Sequence, residues 1–142
     1  MQINTINIMT LNIRVIAPDK TIWDANGEEV ILPSSTGQLG ILKGHIPLLT
    51  ALDIGVMRVR IDKEWQPIIL LGGFAEVNND IITILVNGAE KASDIDLSTA
   101  QSNLEKATTK LAEATTNKEK IEATQNLRKA RARVQAGTVL NN

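Results

Sequence analysis

The spacing of apolar residues changes abruptly near Ser93, and that change constrains the fold more than any other feature. From Leu11 to Val86 the apolar residues recur at every second position. Leu11, Ile13 and Val15 alternate with Asn12 and Arg14, Met57, Val59 and Ile61 with Arg58 and Arg60, and Ile82, Ile84 and Val86 form a third set. A period of two puts one set of side chains on each face of a strand, one buried and one wet. Turn signals fall at Ala17-Pro18-Asp19-Lys20, Ala25-Asn26-Gly27, Leu52-Asp53-Ile54-Gly55, Asp62-Lys63-Glu64 and Asn78-Asn79-Asp80. Many short strands at this spacing argue for an antiparallel sandwich or barrel. Gly72-Gly73 before Phe74 predicts a bulge or sharp bend between two strands. No helix pattern follows it, so it is not a dinucleotide fingerprint.

Beyond Ser93, glycine is absent until Gly137, and Ala, Thr, Lys, Glu and Gln dominate. Leu97, Ala100, Leu104, Ala107, Leu111 and Ala114 follow spacings of three and four, a heptad seam along one helix face. Asp96 suits the N-cap of this helix, with Asp94 adding negative charge near its start. Thr116 and Glu119 match a capping box and open a second helix, with Ile121, Leu127, Ala130 and Val134 as its apolar face and Gly137 as its stop. So short a break folds the two helices back as a hairpin. The expected division is therefore a sandwich domain over residues 1–93 and a two-helix domain over residues 94–142. If Met9 is the start, residues 1–8 are an extension. The hairpin seam has only six large apolar side chains, so it needs to dock on something, and its alanines give a shallow grip suited to an element that detaches.

The 142 residues contain 43% apolar side chains but only three aromatic ones, Trp23, Trp65 and Phe74, so the core is built from Ile, Leu and Val. The net charge of −1 makes no global case for nucleic acid or an acidic membrane surface. The absence of cysteine excludes disulfides and thiolate chemistry. No apolar run approaches the ~20 residues of a membrane span, and the first thirteen residues lack the Lys and Arg of a signal or transit peptide. His45 is the only histidine, so His/Cys metal sites are ruled out. It precedes an Ile-Pro turn with no nucleophile-elbow motif, and no phosphate-binding loop or calcium loop occurs. Neither catalysis nor a bound cofactor is expected.

Two stretches invite partners. Residues 33–47 read Pro-Ser-Ser-Thr-Gly-Gln-Leu-Gly-Ile-Leu-Lys-Gly-His-Ile-Pro: a short strand between two glycine-bearing turns, with polar tips at 34–38 and 43–45. It reads either as ordinary connecting turns or as a preset docking projection. Residues 94–142 hold eight basic and six acidic residues, against seven and ten in residues 1–93. Arg128, Lys129, Arg131 and Arg133 follow the last acid of the second helix, Glu122. This is either a basic docking patch or a solvated face near a helix C-terminus, where cations are favourable anyway. With no interleaved aromatic, it is not a nucleic-acid surface.

In combination, three segments carry a specific resemblance: residues 37–42 running to His45-Ile46-Pro47, then Asp53-Ile54-Gly55, then residues 72–77, all ahead of a helical hairpin. They are similar to those of the epsilon subunits of F-type ATP synthases, over Met9 to about Val139. Trp23-Asp24, Glu64-Trp65 and residues 87–96 resemble chloroplast and cyanobacterial members most. The resemblance implies an N-terminal β-sandwich of about ten strands with a C-terminal two-helix domain, an α+β class. It implies a noncatalytic rotor subunit in the central stalk, coupling rotation of the c-subunit ring through gamma to ATP synthesis and restraining ATP hydrolysis through the hairpin. It places the complex on the thylakoid membrane, with this subunit on the stromal or cytoplasmic side and membrane-associated only through the complex. By position, Gln38 would face the ring's polar loops, with Lys43 in the same loop and His45 at the gamma-side contact. Arg128, Lys129, Arg131 and Arg133 would meet an acidic segment of a beta subunit when the hairpin extends. Relatives that bind ATP carry Ile/Leu-Asp-x-x-Arg-Ala at the first helix start. Here the run is Ile95-Asp96-Leu97-Ser98-Thr99-Ala100, and Thr99 replaces the arginine, which predicts weak or no ATP binding. The other class open to these residues is a generic adaptor, a sandwich module with a helical arm for an unrelated partner.

Overall fold

The computed structural model describes residues 10–141. The expectation about residues 1–8 lies outside them. Eight strands come first, β1 (Leu11–Ala17), β2 (Lys20–Gly27), β3 (Glu29–Ser34), β4 (Gly37–Leu42), β5 (Leu48–Ile61), β6 (Glu64–Asn78), β7 (Ile81–Val86) and β8 (Ala89–Lys91). A 3-10 turn (Ala92–Asp94) leads into the helices α1 (Leu97–Glu113) and α2 (Asn117–Asn141).

The strands form one sheet in the order β2-β1-β7-β6-β5-β3-β4, with β8 added to β6. Its neighbours are antiparallel except β1 and β7, which run parallel. Side chains of β1 and β3, far apart in that order, share one apolar cluster: Leu11, Ile13 and Val15 lie with Val30 and Leu32, all fully buried. The sheet therefore folds over on itself as a sandwich, with an aliphatic core of Met57, Val59, Leu70, Ile82 and Ile84 between its layers.

The α+β class with its sandwich and hairpin is as expected, but the described residues hold eight strands and not about ten. Three turn signals fall within strands, one at the end of β2, one inside β5 and one inside β6. Ala25-Asn26-Gly27 belongs to β2 and pairs with β1. Residues 52–55 lie inside β5 and Gly72-Gly73 inside β6, opposite one another: Leu52 pairs with Gly73 and Ile54 with Leu71. The register is the same on both sides, so the ribbon bends without gaining a residue. Gly72 and Gly73 supply φ of 85° and 152°, conformations open to glycine and costly elsewhere. A Cβ on Gly73 would lie 2.0 Å from the Leu85 carbonyl oxygen. The two-residue hairpins fare as expected. Asp62-Lys63 and Asn79-Asp80 all take positive φ, the mirror-image turn that matches strand twist.

Both helix starts behave as the sequence predicts. Asp96 Oδ1 accepts from the Ser98 N–H at 3.2 Å. Thr116 Oγ1 accepts from the Glu119 N–H at 3.1 Å, and Glu119 Oε2 accepts from the Thr115 and Thr116 N–H groups. Those backbone donors, Thr115 first, hold the Glu119 carboxyl below its ordinary pKa. On α1 every seam residue from Leu97 to Leu111 is buried or half-buried, and the other α1 positions are exposed.

Two expectations for α2 are corrected. Ile121 is 62% exposed, because the seam of α2 runs through Ala123, Leu127, Ala130, Val134 and Gly137, and Ile121 lies off that stripe. Gly137 does not stop the helix, which continues to Asn141. It permits close approach instead: a Cβ there would sit 3.2 Å from Leu97 Cδ1.

Gly73→Ala should lower the unfolding free energy by more than about 2 kcal/mol in urea titration. Gly40→Ala, where the nearest atom is 3.9 Å from the added Cβ, should stay within about 0.5 kcal/mol.

Candidate partner-binding surfaces

The first surface lies on the face of the sheet away from the helices. Strand parity points Ile82, Ile84 and Val86 inward, which turns Ile81, Thr83 and Leu85 outward. The same parity beyond the bend turns Phe74 out. The pairing register then lines up Ile16, Leu85, Phe74 and Ala51 in one row across β1, β7, β6 and β5. The next row is Arg14, Thr83, Glu76 and Leu49. Leu85 and Phe74 are more than half exposed, Leu49 is 70% exposed and Ile46 74%. Outward positions of a half-wet sheet are normally polar, so an apolar row there has the composition of a docking face. Sequence reasoning placed the inward set correctly and did not ask what its outward neighbours were.

The loop from Lys43 to Pro47 stands at one end of this face and is held by the neighbouring β6–β7 turn. Asp80 Oδ1 accepts from the Gly44 N–H at 2.7 Å, and Asp80 Oδ2 lies 3.8 Å from Lys43 Nζ. Gly44 takes φ of 88°. The His45 N–H donates to the Leu42 carbonyl at 3.2 Å, and Nδ1–H donates to the Ile46 carbonyl at 2.7 Å, leaving Nε2 as the acceptor nitrogen. Lys43 and His45 are thus neighbours on one fixed loop. Gln38 is not with them. It sits at the other end of β4, roughly 16 Å away at ordinary strand rise, where its side-chain oxygen accepts from Arg58 Nη2 at 3.3 Å. Arg58 and Arg60 each place a guanidinium carbon 5.8 Å from the Trp65 ring centre, and Arg60 also pairs with Glu28 and Glu29 at 3.2 Å.

The second surface is the basic part of α2, and the structure divides its four cations. Arg128 and Arg131 are exposed, Lys129 is half-buried, and Arg133 reaches β8. Arg133 Nε and Nη2 donate to Glu90 Oε1 and Oε2, both at 2.8 Å. The Arg133 hydrogen bonds, with lesser contributions from its charge and that of Lys129, hold the Glu90 carboxyl below its ordinary 4.5, against a partial opposing effect of burial. The same hydrogen bonds raise Arg133. The anchoring face of α2 is its other stripe: Ala132 and Ala136 pack on Val56 and Ile69, with Ala92 beneath and Leu71 and Ile95 alongside. Sequence reading missed this stripe because alanine is also the commonest helix filler.

A groove of about 320 Å³ separates β2 from the end of α2, lined by Ile22, Trp23, Pro67 and Leu140 among others. At the start of α1, Thr99 Oγ1 donates to Asp96 Oδ2 at 2.8 Å. Among the described residues no three His, Asp or Glu side chains gather as a metal site, and no helix is long and apolar enough to cross a membrane.

Two family models match consecutively: that of the ATP synthase Delta/Epsilon chain beta-sandwich domain over residues 10–92, and that of the ATP synthase Delta/Epsilon chain long alpha-helix domain over residues 93–137. The chain is 78% identical over 134 residues to the chloroplastic ATP synthase epsilon chain of Gracilaria tenuistipitata var. liui, covering 94% of this chain and all of that one. It is 62% identical over 131 residues to the ATP synthase epsilon chain of Cyanothece sp., covering 90% and 95%. A chain of the Euglena gracilis mitochondrial ATP synthase superposes with a TM-score of 0.79 at 20% identity, covering 92% of this chain and 82% of that one, a likeness of fold.

The Arg133–Glu90 pair is about a third exposed, so solvent screening limits it to on the order of 1 kcal/mol. Because the folded Glu90 pKa is depressed, this contribution is complete above pH 4.5 and disappears as pH falls through the folded value. Amide exchange in α2 should accelerate over that acid range relative to β1, and Glu90→Gln should remove the pH response.

Proposed function

The chain belongs to the ATP synthase delta/epsilon chain family, and on that premise we propose that it is the noncatalytic central-stalk subunit of a proton-translocating ATP synthase. It transmits rotation of the c-subunit ring through gamma and restrains ATP hydrolysis through its helices. The observation that carries this reading is the open apolar row Ile16–Leu85–Phe74–Ala51, next to a loop whose backbone is set before any partner arrives. A torque-bearing contact needs a stiff face, and strands paired on both sides supply one. The loop with Lys43 and His45 adds polar contacts at one end for gamma or the ring. Gln38 adds another at the far end of β4, so the two tips fit two separate patches.

The high identity to chloroplastic and cyanobacterial chains supports a thylakoid-associated complex, with this subunit on the stromal or cytoplasmic side and membrane-bound only through its partners. The working division is residues 1–93 for assembly and residues 94–142 for regulation. In the extended hairpin, Arg128, Lys129, Arg131 and Arg133 would meet an acidic segment of a beta subunit in the catalytic head. Thr99, committed to the helix cap, offers no cationic phosphate contact, so the free chain should bind ATP weakly or not at all.

Phe74→Ser with Leu85→Ser should leave the unfolding midpoint nearly unchanged, since both side chains are already wet, yet reduce co-purification with gamma and c subunits at least tenfold. Undiminished recovery would remove the docking role of this face. Deleting residues 94–142 should preserve assembly and raise latent ATP hydrolysis several-fold, and unchanged hydrolysis would remove the regulatory role. Calorimetry of the full chain with millimolar Mg-ATP should show no saturable heat.

A further inference from the structure

Helix α2 meets the sheet through methyl groups. Ala132 and Ala136 bring the helix backbone close enough to cover Val56 and Ile69, and that contact is apolar and without directional bonds. Among the described residues one ion pair joins a helix to the sheet, Arg133 with Glu90. It lies beside that contact, since Glu90 pairs in register with Ile69. Both carboxylate oxygens and two guanidinium nitrogens are used, the fork geometry that makes arginine pairs selective. The side chains are 34% and 31% exposed, so water and competing ions reach the pair.

We propose that Glu90 is an internal stand-in for a carboxylate-rich partner segment: it fastens the hairpin through Arg133 and, by the same bonds, withholds that guanidinium from outside carboxylates. One guanidinium edge accepts one bidentate carboxylate, so the docked hairpin and an Arg133-bound partner exclude each other. Linkage then requires that partner binding favours release and release favours partner binding, by equal factors. Arg128 and Arg131 are exposed in the docked form and supply first contact, while Arg133 becomes available only on release. Lys129 also faces Glu90 and replaces Arg133 in part, so Glu90 is the cleaner position to change. The fastening stands on the free chain alone. The identity of the partner rests on the ATP synthase reading above.

Two experiments separate these parts. In the free full-length chain, Glu90→Gln and Arg133→Gln should each speed amide exchange in α1 and α2 roughly tenfold while β1 and β7 stay protected. The double exchange Glu90→Arg with Arg133→Glu should restore slow exchange. Unaltered helix exchange in Glu90→Gln, or an equal rise in the strands, overturns the fastening. In the assembled complex the two single variants should then diverge. Glu90→Gln frees an intact Arg133 and should lower ATP hydrolysis, whereas Arg133→Gln frees a hairpin lacking that contact and should raise it. Movement in the same direction overturns the withholding, because a purely structural pair affects both alike. Failure of the unmodified chain to join gamma and the ring would refute the assembly reading, and the exchange result would still decide the fastening.

Discussion

The sandwich depends on a ribbon of two paired strands turning a corner together. β5 and β6 are 14 and 15 residues long, enough to serve both layers, and they do so because each bends at the same rung. With Leu52 opposite Gly73 and Ile54 opposite Leu71, the ladder resumes in phase after the bend. A slip of one residue would have sent every inward side chain beyond it to the wet face. Gly73 makes the turn possible, since the Leu85 carbonyl occupies the space a side chain would need. One continuous ribbon also links the apolar row near Phe74 to the platform near Ile69 that receives α2, so load applied to one face reaches the other through two strands that keep one register across the bend.

The helices obey a different economy of contact. Alanines and one glycine bring α2 close to the sheet and to α1, but small side chains yield little free energy per residue. Specificity of docking therefore falls to the polar pair at the margin. The proposed release would have to break that pair and uncover Val56 and Ile69 together. The alternating α1 seam holds the two helices to each other, so they can leave the sheet as a unit.

What the sequence revealed follows the same physics. Period-two and heptad patterns gave the class, the sandwich and the hairpin, because burial writes itself into spacing. Asp96, Thr116 and Glu119 gave the helix starts, because capping is local chemistry. Where a residue served a distant neighbour, local reading failed. Gly72-Gly73 marked a bend, but not that one strand runs on through it, and Gly137, which looked like a stop, is a point of close approach. Gln38 and the Lys43–His45 turn read as two polar tips of one projection, but nothing local announced that Arg58 holds the Gln38 side chain. Arg133 looked like a member of a solvent-facing patch, since nothing local announces that Glu90, 43 residues away, is its partner. The apolar row was legible in principle: once Ile82 and Ile84 point inward, Ile81 and Leu85 must point outward.

The placement of the two tryptophans gives the molecule contrasting optical labels. Trp65 packs against Arg58 and Arg60, neighbours on its own ribbon, so its emission follows the integrity of the strands. Trp23 shares a groove with Leu140, near the last turn of α2. Departure of the hairpin would expose that indole to solvent and shift its colour, while Trp65 would keep its two arginine neighbours. Natural fluorescence can thus distinguish a parting of the two layers of the molecule from the melting of the whole.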